Sequence, residues 1–173
     1  MTEGVIMLMR ILLPIFLFGI VYFFGRPIWW GAPYAPSDEG KIRRMVTLAR
    51  IQKGEKALDI GSGDGRVVIE LAKAGAHAFG YEVNPVLWAV SSFRIRRSGL
   101  QNVARIYRKN FWRADFSPFD VVTIFGVTYI MPELEKKLLR ELQPGARVVS
   151  NYFSFPTWKP DVIARGVYVY QKK

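Results

Sequence analysis

The chain contains no cysteine. That excludes a disulfide framework, a thiolate zinc site and a cysteine nucleophile. It has one histidine, His77, so histidine-rich metal sites are excluded and acid–base chemistry built on imidazole is disfavoured. His77 stands just ahead of an expected strand and reads as a surface residue rather than a titrating switch. No metal site is expected. Acidic residues are scarce: 14 Asp and Glu stand against 25 Lys and Arg, a formal net charge of +11 in 173 residues. That balance favours a polyanionic partner, either nucleic acid or an anionic membrane surface. Internal repeats and low-complexity tracts are missing too. Half of the residues are hydrophobic, enough for a buried core, so a purely solvating or disordered role is excluded.

The longest apolar run lies at the start. Residues 5–25 read VIMLMRILLPIFLFGIVYFFG, with Arg10 as their only charge. At about 1.5 Å per residue such a helix spans roughly 31 Å, one hydrocarbon core. A secretory signal peptide has a shorter apolar stretch and small residues at a cleavage site. Here Arg26-Pro27-Ile28-Trp29-Trp30 follows, a sequence suited to the membrane interface. Pro14 kinks a membrane helix without excluding it, and Arg10 reaches the nearer surface by snorkelling. A single span is therefore expected, in preference to a buried N-terminal helix. Arg26, Lys41, Arg43 and Arg44 follow it, and the positive-inside rule then places the rest of the chain in the cytoplasm. The expected division is a membrane anchor over residues 1–30 and a globular domain over residues 31–173.

The globular part opens with a turn-rich linker, GAPYAPSDEG, at residues 31–40. The apolar spacing beyond it predicts helices over 41–51, 66–74, 85–99 and 132–142. Strands are predicted over 56–60, 78–83, 104–107, 119–125, 147–153 and 167–171. Such alternation implies an α/β fold with a doubly wound, mostly parallel sheet.

The first strand–helix turn reads Asp59-Ile60-Gly61-Ser62-Gly63-Asp64-Gly65-Arg66. Alternating glycines let a backbone turn tightly and approach a ligand. Glu82 stands seventeen residues after Gly65, at the end of the second strand, where a carboxylate accepts both ribose hydroxyls of a nucleoside. A dinucleotide fingerprint, G-x-G-x-x-G, needs its third glycine at position 66, which is Arg66. The acid-x-G-x-G-x-G form instead sets the Asp59 carboxylate beside the loop. A carboxylate there suits a cationic ligand carrying an ammonium and a sulfonium, as S-adenosylmethionine does.

This pattern resembles the class I (seven-strand) S-adenosylmethionine-dependent methyltransferases. The resemblance implies S-adenosyl-L-methionine as cofactor, with Asp59, Gly61, Ser62, Gly63, Asp64 and Gly65 as its glycine motif and Glu82 as its ribose acid. It also assigns the adenine to Lys109-Asn110-Phe111-Trp112, with Phe111 stacking on the ring. Asn110 stands where an aspartate is usual. Two further stretches resemble a small lysine methyltransferase family that includes the ATP synthase c-subunit and adenine nucleotide translocase enzymes and has prokaryotic relatives. One is Pro33-Tyr34-Ala35-Pro36-Ser37 with Ile42-Arg43-Arg44-Met45. The other is Gly145 to Phe153 followed by Pro156-x-Trp158. Members of that family commonly carry a hydrophobic N-terminal segment. Their likeness adds Tyr34 and Pro36 to the expected cofactor contacts. A full class I sheet ends in an antiparallel hairpin, and only about 20 residues follow Phe153, so the expected Rossmann-like sheet has a shortened C-terminal hairpin or a single last strand.

Ligands of open α/β sheets bind at the C-terminal ends of the strands. Phe125 and Tyr129 after the fourth strand, and Asn151, Tyr152 and Phe153 at the end of the fifth, are the candidates there. Phe125 is assigned to the cofactor, and Asn151, Tyr152 and Tyr129 to the methyl acceptor, by hydrogen bonding or cation–π contact. The expected activity is that of a membrane-anchored protein-lysine N-methyltransferase whose substrate is a membrane protein. Alternatives are methylation of a lipid or small amphiphile, methylation of RNA, and a non-catalytic nucleotide-binding membrane adaptor. Arg94, Arg96 and Arg97, with Arg105, Arg108, Lys109 and Arg113, supply much of the positive charge. Beside a membrane span, anionic lipid headgroups are their simpler partner and nucleic acid the less favoured one.

Overall fold

Strands buried on both faces of a parallel sheet are nearly continuous apolar runs, and the central strands here have that character. In the computed structural model β1 (Lys56–Ile60) exposes only its first residue, and β4 (Val121–Phe125) is buried through Ile124. The structure describes residues 4, 7–17, 19 and 38–173. The chain divides into two compact units, 1–33 and 34–173.

In the larger unit α1 (Glu39–Ala49) is capped by Asp38, whose side chain accepts the Gly40 N–H, and it ends at Arg50 in the left-handed region. After β1 come α2 (Arg66–Lys73), β2 (His77–Tyr81), α3 (Pro85–Arg97) and β3 (Ala104–Tyr107). A single 3₁₀ turn at Phe111–Arg113 leads to β4, α4 (Met131–Glu141) and β5 (Arg147–Asn151). The chain closes with β6 (Val162–Ala164) and β7 (Val167–Gln171).

These strands form one seven-stranded sheet in the order β3-β2-β1-β4-β5-β7-β6. The first five are parallel and β7 is antiparallel to both neighbours. The C-terminal edge is thus a hairpin with a three-residue β6, not a single strand. Its turn residues Arg165 and Gly166 both have positive φ, as a tight primed hairpin turn requires.

Side chains alternate between two cores. Leu58, Val122, Ile124, Val148 and Tyr170 pack with Leu134 and Leu138 of α4. Ala57, Val121, Val149 and Val169 pack on the opposite face with Met45, Val68, Leu71 and Ile95 from α1, α2 and α3. Strand order reverses between β1 and β4, and that switch opens a crevice at the C-terminal ends of the strands.

Most expected helix ends and several strand ends move by one or two residues, the fourth strand starting at Val121 and not at 119; two shifts bear on the site. The strand expected to run to position 83 stops at Tyr81, so Glu82 sits just beyond it. The strand expected to run to Phe153 stops at Asn151, because Tyr152 takes φ 74° and breaks the extended backbone.

Of the expected span, residues 7–17 are described and helical. Among the described residues no helix is long and apolar enough to cross a membrane. Gly19 is described as well; the rest of the run, Trp29 and Trp30, and linker residues 31–37 with Tyr34 and Pro36 lie outside the described residues.

Candidate cofactor and active site

The glycine loop is built on backbone hydrogen bonds to β2. Gly61 and Ser62 both donate their N–H to the Tyr81 carbonyl at 3.0 Å, and Gly65 donates to the Ser62 carbonyl at 2.9 Å. Gly61, Gly63 and Gly65 all have positive φ, which L side chains adopt only with strain. Their surroundings differ. A Cβ on Gly61 would meet nothing within 4 Å, whereas one on Gly65 would lie 2.8 Å from the Cβ of Ser91 on α3. Gly61 therefore leaves open space for a ligand, and Gly65 serves the close packing of loop on helix.

Glu82 locks the loop in place. One carboxylate oxygen accepts the Gly63 N–H at 2.9 Å and the other accepts the Asn84 N–H at 2.7 Å. Each oxygen keeps acceptor capacity for a hydroxyl. Glu82 is 7% exposed and Asp59 is 5% exposed, so two carboxylates share one buried corner. Burial pushes the Asp59 carboxyl up to about 7, and the charges of Glu82 and Asp64 add to the rise. The Thr123 hydroxyl opposes it, donating to Asp59 Oδ1 at 2.7 Å. A buried acid in that state gains from a cationic ligand, which favours its charged form.

Asp64 has a different task from the one expected. Its carboxylate pairs with Arg94 of α3 and with Arg66 at 3.0 Å. Burial pushes its pKa up, but the hydrogen bonds and charges of the two arginines outweigh burial and hold it below the ordinary carboxylate range. The side chain is a clamp between α2 and α3, which leaves its backbone in the loop.

The adenine segment is also rearranged. The Phe111 ring is 6% exposed and belongs to the core, 4.7 Å from the half-buried Trp112 ring. The Asn110 oxygen accepts the Trp112 N–H at 3.0 Å and caps the 3₁₀ turn. Phe111 thus sets the floor of the segment, and a ring stacked openly at the sheet edge is not what the structure presents.

Across the switch point, β4 and β5 bring the aromatic candidates together. Phe125 is paired with Asn151 in register. Its ring lies edge-on to Tyr152 at 6.1 Å and to Phe153 at 6.4 Å. The Lys41 ammonium sits 4.7 Å above the Tyr152 ring, a cation–π contact within the chain. Asn151 is buried, and its Nδ2 has no partner within the protein. The Ser62 hydroxyl is in the same condition. Buried polar atoms without partners are exceptional and commonly belong to ligand sites. Tyr152 is exposed despite its strained backbone. Tyr129 is exposed on the turn ahead of α4.

Thr123, Gly80 and Lys41 escape the sequence reading. Thr123 is the polar residue in an otherwise apolar strand, and such a hydroxyl needs a partner. Gly80 interrupts β2 because a Cβ there would come within 2.5 Å of the Ser62 hydroxyl. A glycine inside a strand signals close approach.

The family model described as the ANTKMT methyltransferase domain matches residues 59–162, from Asp59 through the start of β6. The chain belongs to this methyltransferase family. It is 46% identical over 136 residues to an ATP synthase c-subunit lysine N-methyltransferase of Xenopus laevis, covering 78% of this chain and 60% of that one. It is 36% identical over 135 residues to a protein-lysine N-methyltransferase of Saccharolobus islandicus, covering 77% of this chain and 84% of that one. The chain thus spans about three fifths of the frog relative's length and most of the archaeal one. Among solved structures, an RNA methyltransferase from Salinibacter ruber in complex with S-adenosyl-L-homocysteine matches with a TM-score of 0.74 at 31% identity. That match covers 80% of this chain and 92% of the other. The glycine loop, Glu82 and the β4–β5 aromatic cluster therefore belong to a methyltransferase domain.

Proposed function

We propose that this chain is an S-adenosylmethionine-dependent protein-lysine N-methyltransferase. The observation that carries the cofactor is the pair of buried acids, Asp59 and Glu82, around an open Gly61. Their charge and hydrogen-bonding capacity fit a cationic nucleoside. The lysine acceptor is supported by the names of the frog and archaeal relatives.

When bound, S-adenosylmethionine supplies a methyl group on a cationic sulfur, transferred in line to an amine as the carbon–sulfur electron pair returns to sulfur. The protein's part is positioning. Glu82 would hold the ribose hydroxyls and Asp59 would face the cationic end. Phe125, Tyr152 and Phe153 would flank the acceptor with aromatic surface. A lysine amine, with an ordinary pKa of about 10.4, attacks only when neutral. Desolvation among these rings lowers that value, and the proton leaves to water. Asn151, through its unpartnered Nδ2, orients the acceptor.

We also infer that the enzyme is held at a membrane as a single-pass protein, with its catalytic domain cytoplasmic and a membrane protein as substrate. Among residues 7–17, nine large apolar side chains from Met7 to Leu17 are half exposed or more, a surface that water disfavours and lipid accommodates.

A second reading, RNA methylation, is favoured by the Salinibacter neighbour and the charge of +11. Radiolabelled methyl transfer to separated membrane and RNA fractions of the source cells distinguishes the two. Label in a membrane protein supports the lysine reading, and label in RNA alone overturns it.

A further inference from the structure

Helix α3 buries one side and leaves an apolar stripe on the other. Val86, Val90, Phe93 and Arg97 recur at helical spacing, and at about 100° per residue they fall within roughly 60° of one another. Ser91 and Ile95 are buried on the opposite side. Val86, Val90 and Phe93 are 52%, 38% and 64% exposed. Arg94 and Arg96 flank the stripe, each about 80° from its centre. Arg94 reaches back to Asp64. Among the described residues no acidic side chain pairs with Arg96 or Arg97. Along the chain the charge is of one sign: from Val83 to Ala114 there is no Asp or Glu, while Arg94, Arg96, Arg97, Arg105, Arg108, Lys109 and Arg113 are all present. The acids near the helix, Asp64 and Glu39, come from outside that stretch and line a surface pocket with Arg94 and Arg97. The helix is firmly seated. Asn84 caps it, and the Trp88 indole N–H donates to the Ile106 carbonyl on the edge strand β3 at 3.2 Å.

Nucleic-acid binding uses arginines on phosphates and a ring such as Phe93 to stack on a base, but it has no use for the aliphatic Val86 and Val90 beside them. A helix lying in the headgroup plane needs both, with apolar side chains entering the acyl boundary and cations on the anionic headgroups. We propose that α3 is a docking face for an anionic lipid bilayer, with Val86, Val90 and Phe93 entering the interface and Arg96 and Arg97 engaging lipid phosphates. The proposal deepens the membrane reading above and rests on it, while needing nothing from the lysine specificity. Helix α3 begins three residues after Glu82, so the docking face and the cofactor crevice share one end of the sheet.

The absence of cysteine makes the test specific. Ala89→Cys places a unique thiol on the exposed side of α3, and Lys136→Cys places one on the exposed side of α4. Each full-length variant, carrying a polarity-sensitive fluorophore, is reconstituted into nanodiscs of phosphatidylcholine alone or with phosphatidylglycerol. The Ala89 label is expected to shift to the blue in phosphatidylglycerol discs only, and the Lys136 label to stay unchanged. Phe93→Ser combined with Arg96→Glu and Arg97→Glu abolishes the shift. An Ala89 label that reads the same in both lipids overturns the proposal, as does one that responds to added duplex RNA and not to phosphatidylglycerol. Calorimetric titration of S-adenosylmethionine into the same discs reports the methyltransferase reading separately, so failure of either is recognised without the other.

Discussion

Thr123 donates its hydroxyl to Asp59 at 2.7 Å and is the neighbour that opposes the rise of this acid to about 7. The pair joins β1 to β4 at the switch point of the sheet, where the register sets Asp59 opposite Thr123. The carboxylate is therefore balanced between protonated and charged near neutral pH, and a cation decides the outcome.

A pH dependence follows with a defined sign. The folded pKa lies above the ordinary 3.8, so the contribution of Asp59 to stability is full below about pH 4 and is lost as pH rises through about 7. Cofactor binding runs the other way, because the cation selects the carboxylate. S-adenosylmethionine affinity should rise with pH by up to about tenfold per unit between roughly pH 5 and 7, with proton release visible in calorimetry across buffers of different ionisation enthalpy. Thr123→Val should move the midpoint upward and Asp59→Asn should flatten the profile. Affinity independent of pH in the unmodified chain contradicts the assignment.

The glycines separate ligand space from packing. Gly65→Ala meets Ser91 and a positive φ together, and should cost about 2–5 kcal/mol of stability. Gly61→Ala meets only the φ penalty, about 1–2 kcal/mol, and should instead weaken cofactor binding at least tenfold. Urea unfolding and calorimetry on both variants check this; equal losses of stability would refute the division of roles.

Sequence patterning makes most of this fold legible. The bounds of β1, β3 and β7 are readable to the residue, β1 from its mostly buried run and β3, on the sheet edge, from the alternation of buried Ala104 and Ile106 with exposed Arg105 and Tyr107. The acid spacing from Gly65 to Glu82 is readable for the same reason that it works: loop and strand end are local. What stays hidden depends on partners far along the chain. Asp64 looks like a ligand contact until Arg94, thirty residues on, takes its carboxylate. Phe111 looks like a stacking ring until the core claims it. Tyr152 continues an apolar strand pattern, and only the turn back to Gly166, whose carbonyl accepts its N–H at 2.7 Å, forces it out of the strand.

That strained residue marks the acceptor site. Tyr152→Gly removes about 1 kcal/mol of backbone strain along with exposed ring contacts, so unfolding should change little. Methyl transfer should nevertheless fall tenfold or more. Asn151→Ala should lower transfer about tenfold, the worth of one hydrogen bond, while cofactor affinity stays within about threefold. A parallel loss of cofactor affinity in either variant would place these side chains in the cofactor site instead.

Glu135 ties down the segment beyond β5. Its buried carboxylate accepts the Thr157 N–H and hydroxyl and the Trp158 N–H. Trp158 packs against Phe155 and Tyr170 at 5.7 and 5.2 Å. Glu135→Ala leaves these donors without their partner and should cost about 3 kcal/mol or more. Hydrogen exchange should quicken across residues 155–159 and remain slow in β1 and β4. Unchanged protection at Thr157 and Trp158 would count against the tie.

The most direct test of lysine methylation is chemical identification of the product. The full-length chain is incubated with S-adenosylmethionine labelled in its methyl group and with membranes from its source, and the membrane protein is hydrolysed to amino acids. The expected label is in methylated lysine, and it disappears with Glu82→Ala. Label confined to nucleosides or lipids, or no transfer by a chain that still binds the cofactor, contradicts the account.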